Sequence, residues 1–261
     1  MDISIIIPNY QSEHYLPSCI NSLLIHMDNK MLYEIIVINN DLNKISTISA
    51  NENIRVIENN NNDGFAKACN KGAAFARGKV LFFLNPDTKF ESGNIADLIN
   101  AFSDSTVGIV SPQLLTPNNR IQPWSSGYKI TLLEIILNKL GLVRSKKLWQ
   151  KNTSAVPAWI SGAAMAINKN LFEKIKGFDE NFFMYFEDVD LCKRVADESL
   201  TMLILPSVQI IHLGGQSFSS SIQQKKYYYA SQDYYFKKHF SLFSVLMLKI
   251  FRSIFLFFKK V

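Results

Sequence analysis

Short, wholly apolar runs alternate with segments of helical spacing over residues 1–111, and few folds accept that rhythm. Ile3–Ile7 is such a run, ended by Pro8, and Glu34–Ile38 is a second, ending in Asn39-Asn40-Asp41. Asn53–Ile57, Val80–Leu84 and Val107–Ser111 repeat the pattern. Between them, residues 13–26 place Tyr15, Leu16, Cys19, Ile20, Leu23 and Leu24 at helical spacing. Gly64–Ala76 and Ile95–Phe102 read as further helices. Strands apolar on every side chain are buried on both faces, and strand–helix alternation of this kind predicts a mostly parallel, doubly wound α/β sheet with flanking helices.

The remaining residues extend the pattern less regularly. From Gln113 to Pro157, Pro, Asn, Ser and Lys are frequent, with one amphipathic helix expected over Thr131–Leu142. This stretch reads as a long connection. Trp159–Ile167 is an apolar segment with Gly162 at its centre, and Thr201–Leu205 and Val208–Ile211 are expected as two short strands. The N-terminus enters its first strand at once, with neither a basic region nor a cleavage site for a signal peptide. Cys19, Cys69 and Cys192 are too scattered for a disulfide framework or a zinc site, which fits a reducing compartment.

Two acidic clusters carry chemistry. Val80–Leu84 runs straight into Asn85-Pro86-Asp87-Thr88, placing an amide and a carboxylate at the carboxyl edge of the sheet, where ligands of open α/β sheets bind. Such oxygens suit Mg²⁺, although a Pro-Asp turn alone is common. The second cluster is GFDENFFMYFEDVDLCKR, residues 177–194, where Asp179, Glu180, Glu187, Asp188 and Asp190 sit among Phe178, Phe182, Phe183, Met184, Tyr185 and Phe186. Apolar surroundings raise a carboxyl pKa toward the range of a general base or acid. A helix N-terminus, where acids complement the dipole, would also collect them.

In order along the chain stand SIIIPNY, EIIVINND, NDGFAKACN, LNPDT, WISGAAMAI, the acidic-aromatic stretch and IIHLGGQS. Together they resemble the inverting nucleotide-sugar glycosyltransferases of family 2, in the rhamnosyltransferase-like branch, over residues 3–240. The resemblance implies the GT-A fold, a nucleotide-diphosphate sugar donor, a glycan or lipid-linked glycan acceptor, and Mg²⁺ or Mn²⁺ as cofactor. It implies a transferase domain over 1–239, with a nucleotide-sugar half at about 1–111 and an acceptor half at about 112–239. On that resemblance Asp188 is the general base, and Asp87 and His212 bind the metal. Pro8, Asn9, Tyr10, Asn39, Asp41, Gly64, Phe65, Asn70, Asn85 and Arg194 meet the donor, while Trp159, Gly162 and Glu187 meet the acceptor. Asn39 stands where the family commonly has Asp, with Asp41 able to compensate. Arg194, six residues after Asp188, is expected to pair with another acid or a phosphate.

The chain carries a net charge of +6, and its distribution matters. Residues 225–261 hold eight Lys/Arg against the single acid Asp233, so the rest is nearly neutral. No nucleic-acid-binding motif accompanies that charge, and nucleic acid is not an expected partner. Residues 240–261 predict a basic amphipathic helix. Lys238, Ser241, Lys249, Arg252 and Lys259 share one stripe, and Phe243, Leu246, Ile250, Ile254 and Phe257 cover the rest. Two central cations oppose a spanning helix, so the expectation is a helix lying on an anionic membrane, peripheral to its cytoplasmic face. The alternative is packing on the domain or on another subunit, and oligomeric state stays open. A nucleotide-sugar-forming nucleotidyltransferase would want a Gly-rich basic loop where Pro8-Asn9-Tyr10-Gln11 stands, and a dehydrogenase a G-x-G-x-x-G there. A non-catalytic glycan-binding protein is disfavoured by Asp87, Asp188 and His212 occurring together.

Overall fold

The computed structural model describes residues 1–48, 51–150, 156–214 and 221–258. The first half contains β1 (Ile3–Asn9), α1 (Leu16–Ile25), β2 (Tyr33–Asn39), β3 (Ile54–Glu58), α2 (Phe65–Phe75) and β4 (Val80–Leu84). There follow β5 (Thr88–Ser92), α3 (Ile95–Asn100), β6 (Val107–Leu115), β7 (Ser126–Gly127), α4 (Leu132–Lys139) and β8 (Trp159–Ile160). The chain continues through β9 (Ala164–Asn168), α5 (Lys169–Lys174), α6 (Glu187–Asp197), β10 (Thr201–His212), α7 (Ser221–His239) and α8 (Leu242–Phe258).

Eight strands form one sheet in the order β3-β2-β1-β4-β9-β6-β10-β5, and β7 pairs with β8 in a small second sheet. The pairs β1–β2, β1–β4, β2–β3 and β10–β6 are parallel. β9 runs antiparallel to both β4 and β6, and β5 antiparallel to β10. The sheet is therefore mixed and mostly parallel, as its apolar strands predict. β1 is buried at every position. Its side chains alternate between two layers. Ile3, Ile5 and Ile7 join Leu16, Cys19 and Leu23 of α1 in one core, while Ile6 joins Ala66, Ala73 and the aromatic cluster of Phe83, Phe172 and Phe178 in the other.

Three expectations change. β10 is one twelve-residue strand, not two, because Pro206 and Ser207 are absorbed as a register shift against β6. The segment Trp159–Ile167 divides into β8 and β9, parted by the turn at Gly162. β5 was not anticipated: its TKFES pattern buries only alternate residues and follows a Pro-Asp turn.

The C-terminal helices fold onto the body. Leu248 of α8 is buried in the core, and Arg252 meets Gln232 Oε1 at 2.8 Å and Asp233 Oδ1 at 2.5 Å on α7. Phe243, Leu246, Ile250, Ile254 and Phe257 face outward instead. The polar stripe read from the sequence thus turns partly inward, and the solvent-facing ridge is apolar. Lys259 of that stripe lies outside the described residues, as do Gly215–Ser217 of the IIHLGGQS motif.

Candidate active site

The carboxyl ends of β1, β2 and β4 open into one crevice. Pro8, Asn9 and Tyr10, Asn40, Asn62, Gly64 and Phe65, and Asn85, Pro86 and Asp87 line it, with Phe183 and Met184 on its far side. Gly64 is required here. Its φ is +87°, and a Cβ would stand 2.4 Å from the carbonyl oxygen of Phe183, which accepts the Phe65 N–H at 3.0 Å. Asn9 Nδ2 donates to Asn39 Oδ1 at 3.0 Å, and Asn39 Nδ2 donates to Glu58 Oε2 at 2.6 Å, so Asn39 is spent on internal bonds. Asp41 opens into a neighbouring groove with Asn9, Gln11, Glu13 and His14, where its Oδ2 accepts from the Gln11 N–H at 3.1 Å.

At the crevice floor β5 and β10 pair Thr88 with His212. His212 Nε2 lies 3.3 Å from Asp87 Oδ1 and 3.4 Å from Asn85 Nδ2. Asp87 Oδ2 accepts the Gly214 N–H at 3.0 Å. His212 Nδ1 faces Gln122 Oε1 at 3.0 Å; a carbonyl oxygen can only accept, so Nδ1 carries the proton. In the neutral ring Nε2 then presents a lone pair toward the Asp87 carboxylate, and a cation between two such electron-rich atoms relieves their opposition. These residues fit a divalent ion whose other ligands come from substrate phosphates and water. Among the described residues no group of three His, Cys, Asp or Glu forms a complete metal cage. Gln122 has no motif around it, so only the fold reveals it.

A second, largely apolar cavity of about 450 Å³ adjoins the first. Trp124, Tyr128, Ile130 and Ile135 line it opposite Trp159, Tyr185, Phe186 and Tyr228, with Glu134, Asn138, Glu187 and Asp188 as its polar walls. Asp188 stands in the first turn of α6, where Oδ2 accepts the Gly162 N–H at 2.9 Å and Oδ1 the Val189 N–H at 2.8 Å. A Cβ on Gly162 would lie 3.2 Å from the Phe65 ring, which lines the crevice, and 3.5 Å from Asp188 Cβ, so this glycine packs beside both residues. Burial raises the Asp188 pKa against the pull of those N–H donors. Burial, then the neighbouring Asp188 charge, push Glu187 well above the usual range. Tyr185 and Phe186 both adopt left-handed backbone, φ +69° and +67°. Strain of that kind persists where surrounding structure enforces it; here Ser231 Oγ of α7 holds the Met184 carbonyl at 2.7 Å.

Besides Asn39 and Asp41, two further expected donor contacts lie outside the crevice. Arg194 lines neither cavity. Its Nε donates to Asp190 Oδ2 at 2.8 Å and its guanidinium to the Ile175 carbonyl, so it pairs with another acid. Asn70 clasps Phe178, accepting its N–H and donating to its carbonyl, both at 2.9 Å, and so ties α2 to the segment before α6. The long connection 113–157, by contrast, supplies Gln122 and half the wall of the second cavity.

The profile of a protein family described as "Glycosyl transferase family 2" matches residues 4–188. A hexosyltransferase of low-salt glycan biosynthesis from Haloferax volcanii is 24% identical over 81% of this chain and 67% of its own length. An N-acetylglucosaminyl-diphospho-decaprenol L-rhamnosyltransferase from Mycobacterium tuberculosis is 27% identical over 49% of this chain. The chain covers less than half, 45%, of that relative. Among solved structures, GalNAc-T7 with UDP, GalNAc and Mn²⁺ superposes with a TM-score of 0.63 at 16% identity, over 98% of this chain and 54% of that one.

Proposed function

The chain belongs to glycosyl transferase family 2, and from that premise we propose that it moves a hexosyl or deoxyhexosyl group, with inversion, from a nucleotide-diphosphate sugar to a hydroxyl of a glycan or lipid-linked glycan acceptor. One observation carries the reading: the Asp188 carboxylate lines an aromatic cavity and accepts the Gly162 N–H, and Gly162 packs in turn beside Phe65, a residue of the crevice at the sheet's carboxyl edge. A base there takes the acceptor hydroxyl's proton as the oxygen attacks the donor's anomeric carbon from the side opposite the leaving diphosphate. A single displacement of that kind inverts the centre.

The crevice residues orient the donor. Tyr10, Asn40 and Phe65 lie where the nucleotide and sugar would rest, and Asn85 presents its amide beside Asp87. Asp87 and His212 would hold Mg²⁺ or Mn²⁺, which neutralises charge developing on a departing diphosphate. Gln122 fixes the ring so that Nε2 points at Asp87. Glu187, Trp159 and Gly162 belong to the acceptor's side.

The work site fits a membrane surface. The outward ridge of α8 is apolar, and Leu133 of α4 and Leu140 and Leu142 after it are exposed nearby, where Lys139 Nζ lies 5.4 Å from the Phe255 ring. Exposed Lys225, Lys226, Lys237 and Lys249 flank it. Among the described residues no helix is long and apolar enough to cross a membrane. Such a ridge suits a helix lying in an anionic interface. The three cysteines are buried and free, in keeping with the cytoplasmic side.

A panel of nucleotide sugars, each with Mn²⁺ or Mg²⁺, tests the reading by thermal unfolding. A ligand that binds only the folded state raises the melting temperature. At least one nucleotide sugar should do so in a metal-dependent way, and product analysis with that donor should show an inverted linkage. No stabilisation by any member, or a retained anomeric configuration, refutes the proposal.

A further inference from the structure

The cavity beside Asp188 carries a chemical signature of its own. Three residues in its walls bear buried oxygens with no hydrogen-bond partner among the described residues: Glu134 Oε1, Asn138 Oδ1 and Glu187 Oε2. Glu134 and Glu187 are 4% and 6% exposed. Glu134 is anchored through its other oxygen, which Arg144 approaches at 3.5 Å, and through its backbone N–H, which donates to Thr131 Oγ1 at 3.2 Å. These oxygens belong to residues that line the cavity, and the carboxyl and amide ends that carry them turn on soft terminal torsions. Buried polar atoms are normally paired, and orphans gathered around one cavity point to a ligand that pairs them.

The occupant's chemistry follows by elimination. A prenyl or acyl chain would fill the apolar walls yet leave all three oxygens unpaired. A phosphate would meet the Glu134 and Asp188 carboxylates, and no Lys or Arg lines the cavity to receive it. A sugar ring satisfies both demands, with hydroxyls that donate and accept and an apolar face that stacks on aromatic rings such as Trp124, Tyr128 and Trp159. Resting on the transferase reading of Asp188, we infer that this cavity seats a neutral saccharide unit of the acceptor, and that Glu134 and Asn138 on α4, with Glu187 on α6, decide which one. Any lipid or diphosphate portion of the acceptor lies outside it.

Trp124 and Trp159 supply the readout, since a ring stacking on them alters indole fluorescence. The full-length chain is titrated with methyl glycosides of glucose, galactose, rhamnose and N-acetylglucosamine, and separately with geranyl phosphate and inorganic diphosphate. At least one glycoside should change the fluorescence saturably. Asn138→Ala and Glu134→Gln should each weaken that glycoside roughly five- to tenfold, the worth of one hydrogen bond. Three results each overturn the inference: geranyl phosphate or diphosphate binding in place of every glycoside, no glycoside response at all, or an affinity that both substitutions leave unchanged. Nucleotide-sugar stabilisation of the same variants shows that they are folded. It also separates the two ideas, because a variant can stabilise with donor and transfer sugar while its glycoside affinity disproves the seat.

Discussion

At the scale of the residue, chemistry rests on carboxylates whose surroundings set their behaviour. Asp188→Asn keeps shape but only one of the two backbone hydrogen bonds, because its NH2 cannot accept an N–H, and it cannot take a proton, so turnover should fall ~10²–10⁴-fold while nucleotide-sugar stabilisation stays. Turnover near that of the wild type would exclude Asp188 as the base. The direction of its pKa adds a second expectation. The base works deprotonated, and burial holds its pKa above the ordinary carboxylate value, 3.8. The acid limb of kcat/KM should therefore lie above that value, with activity rising as pH increases through it. Asp87→Ala should abolish the metal-dependent part of nucleotide binding in calorimetry, since it removes the crevice's one carboxylate beside His212. Asp87 was legible because a buried strand delivers it to the ligand edge, and Asp188 because acids are rare among so many rings. Gln122 and Asn138 were not, because their meaning comes only from what distant segments bring near them. Spacing alone also says nothing about partners: Asn70, read as a donor contact, is a tie to Phe178, and Arg194, read as meeting the donor or pairing with another acid or a phosphate, pairs with Asp190.

At the scale of the element, helix α6, which carries the proposed base, is held from outside. Asp190, fully buried, accepts from His239 Nε2 at 2.6 Å and Lys238 Nζ at 2.7 Å at the end of α7, and from Arg194. Lys238 also reaches Asp179 Oδ2 at 2.7 Å. Burial alone would raise the Asp179 pKa, but hydrogen bonds from Lys238, Asn181 and Tyr234 outweigh it and lower the value to about 2. Asp190 is lowered likewise, by His239, Lys238 and Arg194. A depressed folded-state pKa stabilises above the unfolded value and is lost as pH falls through the folded one. Melting temperature should thus decline from about pH 4 toward pH 2, and Lys238→Met should flatten that decline; equal acid sensitivity would show the cluster to be inert. Gly64→Ala should cost roughly 1–3 kcal/mol in denaturant unfolding, the scale of enforced backbone strain. β1, β2 and β4 were readable because burial on both faces makes them largely apolar, whereas β3, expected as a buried strand, is an edge strand with Arg55 and Val56 exposed. β5 and β10 were harder, since one is half exposed and the other tolerates Pro206 mid-strand.

At the scale of the whole molecule, the outward ridge of α8 changes the expected physics of membrane attachment. Arg252 and Lys238 are committed to internal acids, so the proposed attraction to a bilayer would lean on apolar burial as well as charge. Replacing Leu246, Ile250 and Phe257 together by Ser should release the protein from anionic vesicles in co-sedimentation without lowering its melting temperature, because all three face solvent. High salt should weaken binding only in part. Vesicle binding unchanged by the triple replacement would rule the ridge out.

β9 lies between β4 and β6, hydrogen-bonded to both. Among the described residues no seam divides this eight-stranded sheet, so its two halves are not expected to hinge against each other around a ligand. Whatever gates the reaction must happen above the sheet, in segments such as 178–186. Amide hydrogen exchange should record the difference: a bound donor analogue leaves the β9 amides as slow as before and slows those of 178–186, so that substrates are timed by the loops on a platform already set when the chain folds.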